Sequence, residues 1–379
     1  MAVCGCSYHN GKGQDVNNSG IETQTAIRYA RGFRITESGG YAIVTLRDPW
    51  DTLRTRCRYI LVPRDSVLPG NLPEGTVIRT PLKKAVIYTT AIASLLEQAG
   101  CIDNICGICE KEYVTSKETR RRISSGAIAD LGKSTSPNVE KIVEMGADAI
   151  IASPFQNSGY GPAGKVGIPI IEAADYLENH PLGRAEWIRL YALLFGKGST
   201  GDSLFNVTEE RYNTLRSLAG AAKKRPTVML ERRYAGQWPM PAGDSYVGTM
   251  HRDAGADYIF CDLEGGESVP LSFETVLDRA SEADYWLLKY NSPTPLTYRE
   301  LSEEYPPYKS FGPFANQSVY ACNTGTTTYY DDITLHPDYI LADFIHIYHP
   351  ELLPDHKPKY YFPLSGQGQK QPCQTFINE

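Results

Sequence analysis

His180 to Arg225 reads HPLGRAEWIRLYALLFGKGSTGDSLFNVTEERYNTLRSLAGAAKKR, and this stretch decides the fold. In its first half Leu182, Trp187, Ile188, Leu190, Tyr191, Leu194 and Phe195 form a wide apolar helical face. In its second half Leu204, Val207, Leu215, Leu218 and Ala222 recur at helical spacings among polar residues. The two pieces meet at Gly196-Lys197-Gly198, where Ser199 or Thr200 can cap the second. Lys223, Lys224 and Arg225 suit a negative helix end, and Pro226 stops it. The pattern predicts a linking helix over 181–225. Short β-branched strands alternate with helices on both sides of it. A long helix between two α/β halves is a strut, and a strut between two lobes implies a cleft.

Working outward, residues 1–22 read as a polar tether, 23–180 as an N-terminal α/β lobe and 226–352 as a C-terminal α/β lobe. Residues 353–379 are rich in Pro, Lys, Gly and Gln and read as an extended tail. Ile27 to Ile35 and Tyr41 to Leu46 predict a hairpin turned at Gly39-Gly40. Strands are expected at 58–62, 85–88, 105–108, 149–152, 168–171, 227–230, 285–289 and 319–322. Helices are expected after Thr89-Thr90 and over 138–145, 246–254, 273–279 and 336–349. Strands of this kind between helices imply a mostly parallel sheet covered on both faces.

The chain has 379 residues, 41% of them hydrophobic, so each half can bury a core. A net charge of −6 leaves no basic stripe for phosphates, which excludes nucleic acid as a partner. The 25 tyrosines favour contacts with something half polar. No apolar run approaches the roughly 20 residues of a membrane span. Small residues up to Cys6, followed by a hydrophilic stretch, resemble the end of a bacterial lipoprotein signal and place lipidation at Cys6, with Cys4 fitting less well. Cys106 and Cys109 have the spacing of redox or zinc sites, yet without a second pair they read as small apolar residues of an α/β unit. His346 and His349 share a helix face among aromatic neighbours and read as packing. No Gly-x-Gly-x-x-Gly after a strand, no phosphate-binding Walker loop and no Gly-x-Ser-x-Gly is present, so no catalytic residue and no metal site is expected.

Each half carries one phrase in common. Asn138 to Ile151 is a short helix, then Ala-Asp, then a strand; Phe273 to Leu288 repeats that order. Each has Glu in its first turn, Glu140 and Glu274. With the ending Asp338-Tyr339-Ile340-Leu341-Ala342-Asp343 and His349-Pro350-Glu351, the chain resembles ABC-transporter solute-binding proteins that carry iron-siderophore, haem or cobalamin complexes. The resemblance spans roughly residues 27–350. It implies two Rossmann-like lobes joined by a single long backbone helix, with the ligand cleft between them. It also implies little closure, no cofactor of the protein's own, a monomer, and a periplasmic, lipid-anchored location. The partners it implies are an ABC permease dimer in the inner membrane and a metal-chelate ligand: a ferric siderophore or haem, alternatively a corrinoid.

Ligands of α/β lobes sit beyond the C-terminal ends of strands. That rule points to Tyr88, Tyr113 and Tyr160 in the first lobe, and to Arg232, Arg233, Trp238 and Tyr290 in the second. Trp238 and Tyr160 are expected to lie against a flat chelate, and Arg232 or Arg233 to pair with its carboxylates. The resemblance gives Glu140 and Glu274 the role of docking onto permease arginines, with Glu186 a weaker candidate. The rival readings are a chelatase-like enzyme on the same scaffold and a lipoprotein adhesin.

Overall fold

The computed structural model describes residues 23–266 and 268–365, so Cys4, Cys6 and the expected tether lie outside the described residues. The chain opens with an antiparallel run of β1 (Thr23–Gln24), β2 (Phe33–Ser38), β3 (Tyr41–Arg47) and β4 (Thr55–Pro63), to which β5 (Thr76–Thr80) adds in parallel. Gly39 and Gly40 both have positive φ, 51° and 93°, as a tight hairpin turn requires. The expected strand from Ile27 begins only at Phe33. Its earlier amides are already taken: Arg28, Tyr29 and Ala30 donate to Glu186, and Arg31 and Gly32 donate to Glu178. Gly32 admits no side chain, since a Cβ would lie 2.8 Å from the Trp187 ring.

The first lobe is built from β6 (Ala85–Ile87), α1 (Thr90–Gln98), β7 (Ile105–Ile108), α2 (Lys117–Ser124), β8 (Ala129–Asp130), α3 (Val139–Glu144), β9 (Ala149–Ala152) and β10 (Ile170–Glu172). Its sheet is parallel throughout, in the order β10-β9-β6-β7-β8. All of β6 and β9 is buried, because helices cover both faces.

The link is two helices, α4 (Pro181–Leu194) and α5 (Gly198–Gly220), rather than one. Gly196 takes φ 71° and turns the chain back. Arg189 of α4 then reaches Asp202 at 3.3 Å and Asn206 at 3.2 Å on α5. Gly201 lets the backbones close, since a Cβ there would lie 2.7 Å from that of Ala192. α4 is buried on nearly every side, and α5 buries a narrower stripe of Phe205, Tyr212 and Ala219.

The second lobe follows as β11 (Thr227–Leu230), β12 (Trp238–Pro241), α6 (Tyr246–Asp253), β13 (Asp257–Tyr258), β14 (Ser268–Leu271), α7 (Phe273–Ala280), β15 (Tyr285–Tyr290), α8 (Tyr298–Glu304), α9 (Gly312–Ala315), β16 (Val319–Asn323), α10 (Tyr329–Asp332), α11 (Pro337–Tyr348) and β17 (Tyr361–Pro363). Its main sheet runs β13-β11-β15-β16-β17, parallel except for β17. The two-lobed α/β architecture is as expected. The stretch after Leu353, read as a loose tail, is docked as far as Ser365. The buried Asp343 carboxylate accepts the amides of Lys359, Tyr360 and Tyr361 at 2.7–3.1 Å, and β17 pairs with β16.

The repeated phrase has a structural meaning. Asp148 accepts the amides of Lys83 and Lys84, just before β6, at 2.7 and 3.0 Å. Asp284 accepts the amide of Thr227, at the start of β11, at 2.7 Å. In each lobe the Asp before one strand therefore fixes the start of the neighbouring strand.

Candidate functional site in the inter-lobe cleft

A cavity of about 850 Å3 lies between the lobes. Gln156 follows β9, and Tyr176 to Asn179 follow β10. Arg184 stands in the first turns of α4. The second lobe supplies Glu231 after β11, Lys289 near the end of β15, and Tyr329 and Tyr330 of α10. The cavity thus sits where both sets of parallel strands finish.

Its charges are placed with care. The Arg184 guanidinium lies 4.2 Å from the centre of the Tyr246 ring and donates through Nη2 to the Tyr176 carbonyl at 2.5 Å. Its Nε is buried without a hydrogen-bond partner among the described residues. Tyr246 is fixed in turn, its hydroxyl donating to the Ile333 carbonyl at 2.9 Å. Lys289 donates to the Glu231 carboxylate. Burial alone would lower the lysine pKa, but the Glu231 charge outweighs it and the ammonium is held firmly protonated. Glu231 has φ 59°, a left-handed conformation uncommon outside glycine, and its carbonyl accepts from Trp286 Nε1 at 2.6 Å. Asp244 Oδ1 accepts the Gly266 amide at 3.1 Å. Two cations, the three carboxylates of Glu178, Glu231 and Asp244, and several tyrosines suit a ligand with both ionic groups and flat or apolar surface. Among the described residues no group of three or more His, Cys, Asp or Glu is placed to hold a metal ion.

None of the seven individually expected ligand residues lines this cavity. Tyr88 is buried with Val86, Cys109 and Ile150 on one face of the first-lobe sheet, and burial raises its pKa. Tyr113 is 60% exposed on a single turn. Tyr160 donates to Glu172 at 3.2 Å. Arg232 pairs with Glu304, and Arg233 lies 4.2 Å from the Tyr305 ring centre. Tyr290 is buried and accepts the Leu296 amide at 3.2 Å.

Trp238 is fully buried, its ring packed against Trp286, Tyr308 and Phe311 and its Nε1 donating to the Leu230 carbonyl at 2.8 Å. It is core and offers no platform. Its cover is the 293–316 stretch, which folds into α8, a tight turn and α9. Trp238→Ala is expected to lower the unfolding free energy by about 3–5 kcal/mol in a urea titration, through a cavity in that aromatic cluster. A change below about 1 kcal/mol would return Trp238 to the surface.

Loops beyond the strand ends instead contribute Gln156, Gly265 and Gly266, and α10 contributes Tyr329. Arg184 and Lys289 were missed. Lys289 had a signal, since a lone cation inside the apolar strand Tyr-Trp-Leu-Leu-Lys-Tyr must find a partner. His346 and His349 meet the carbonyls of Leu353 and Gly255 at 2.9 and 3.2 Å. The Cys109 thiol is pushed up to about 12 by burial, first of all, and then by the Glu110 charge.

Glu140 and Glu274 are exposed in the first turns of α3 and α7, which Asn138 and Ser272 cap. Each helix ends beside the start of the next parallel strand. Its first turn therefore lies at the opposite end of the lobe, the end at which the parallel strands finish. Glu186 is fully buried and holds backbone amides, so it is no docking residue.

The sequence model of a family described as periplasmic binding protein matches residues 86–321. An uncharacterized lipoprotein of Methanocaldococcus jannaschii is 28% identical over 320 residues, 80% of this chain and 75% of that protein. A possible iron-binding periplasmic solute-binding protein from Staphylococcus epidermidis superposes with a TM-score of 0.57 at 14% identity, over 71% of this chain and 100% of that one. A periplasmic heme-binding protein from Roseiflexus superposes with a TM-score of 0.54 at 16% identity, over 71% and 99%.

Proposed function

We propose, since this chain belongs to the periplasmic binding protein family, that it captures an iron complex outside the cytoplasm and delivers it to the permease of an ABC importer. The complex is a ferric siderophore or haem, bound without turnover. The observation that carries this reading is the cavity at the strand ends, with the unpaired Arg184 Nε and the Lys289 ammonium among tyrosines. Iron chelates carry carboxylates or phenolates beside flat conjugated surface, which is the chemistry those residues complement. Solved relatives described as iron- and heme-binding support the ligand class. The relative named a lipoprotein supports a lipid anchor, for which Cys6 is the candidate. Glu140 and Glu274, one exposed on each lobe, are the proposed contacts to two permease subunits.

The test is equilibrium dialysis of the purified protein against haem, a ferric tris-catecholate, a ferric trihydroxamate and cyanocobalamin. At least one iron chelate is expected to bind saturably. Arg184→Ala is expected to weaken it about ten-fold or more, since a hydrogen bond to a charged group contributes roughly 1.5–3 kcal/mol. Unchanged affinity in that variant would remove the cavity from the account.

A further inference from the structure

Residues 23–80 form a sheet that ends before the family match begins at Val86. It is bolted to the first lobe at the edge strand β10. Arg56 donates to the Glu172 carboxylate at 2.6 and 3.0 Å, and the Glu172 amide donates to the Tyr59 hydroxyl at 2.9 Å. From this anchored sheet the loop between β3 and β4 reaches the inter-lobe cavity, where Pro49 and Trp50 are part of the wall. The loop is closed by its own bonds. Asp48 Oδ1 accepts the amides of Trp50 and Asp51 at 2.9 and 3.1 Å, and the Asp48 amide donates to the Arg54 carbonyl at 2.9 Å. The Arg56 guanidinium lies 5.3 Å from the centre of the Trp50 ring. The chain Tyr160–Glu172–Arg56 thus fixes the indole from behind, a support that a merely solvated side chain does not need.

The chain has four tryptophans. Trp187, Trp238 and Trp286 are fully buried, and Trp50 alone is partly exposed. A large, rigid, partly exposed indole on a cavity wall is an anchor for flat ligand surface. We infer that the N-terminal sheet is a third wall of the ligand cleft, and that Trp50 selects iron chelates presenting a planar conjugated face, a catechol ring or a porphyrin, over aliphatic ones. Arg56 is the positioning residue behind it. This rests on the binding reading above and adds to it the ligand's shape.

The experiment uses the intact protein, its Trp50→Ala and Trp50→Phe variants, and acrylamide with the same four chelates as probes. Without ligand, acrylamide is expected to quench one tryptophan component that both variants lack. In equilibrium dialysis Trp50→Ala is expected to weaken the flat chelate, haem or ferric tris-catecholate, roughly three- to ten-fold, the range of an aromatic stacking contact. Trp50→Phe should restore most of that loss, and ferric trihydroxamate should bind both variants alike. Equal binding of the flat chelate by wild type and Trp50→Ala overturns the inference while the binding reading stands. The same follows if all chelates are lost together, or if only the trihydroxamate binds. Failure of the unaltered protein to bind any of the four overturns the binding reading itself, and this inference with it.

Discussion

Glu140→Ala together with Glu274→Ala is expected to abolish uptake into vesicles carrying the importer and to leave chelate affinity unchanged. A two-lobed protein must be seated with its cleft over a two-fold pore, and one directional charge contact per lobe fixes that orientation. Both carboxylates are exposed, in equivalent first turns of α3 and α7. A carboxylate there also favours the positive end of its own helix by about 0.3–1 kcal/mol, too little to abolish transport. The single variants should each retain part of the activity. Uptake that survives the double substitution would place the docking surface elsewhere. Affinity that falls with it would put the glutamates in the cleft.

The second large effect belongs to Glu186. Its side chain is fully buried and accepts the amides of Arg28, Tyr29 and Ala30 at 2.7–3.1 Å, with Arg189 Nη1 at 3.6 Å. Glu186→Ala strands three partly buried donors, each costing about 1–3 kcal/mol. The expected loss is about 3 kcal/mol or more in urea unfolding, with early proteolysis of the segment before β2. A loss under about 1 kcal/mol would mean that water replaces the carboxylate and that the segment is not held by it.

These three carboxylates show where reading the chain stops. The matched first-turn positions of Glu140 and Glu274 were legible because their phrase recurs, and repetition survives without coordinates. Glu186 was not, because its partners are backbone amides nearly 160 residues earlier in the chain. A helical pattern records which face is apolar, not which incoming segment needs an acceptor. The lobes, most strand bounds and the closing helix followed from periodicity. The hairpin of α4 and α5 turned on Gly196, whose positive φ reverses the chain where composition alone suggested a continuous strut. The site failed for a related reason. Aromatics next to strand ends were assigned to the cleft, yet Trp238 is covered by Tyr308 and Phe311 from a stretch some 70 residues later in the chain. Arg184 was hidden inside the apolar face of α4.

The most direct measurement is native mass spectrometry of the purified chain offered all four chelates in competition, followed by release and weighing of whatever is retained. The account predicts one intact iron chelate per chain, its metal and scaffold unaltered after release, and loss of that species in Arg184→Ala. A chain that retains nothing, or that releases the chelate stripped of iron or chemically changed, would contradict it.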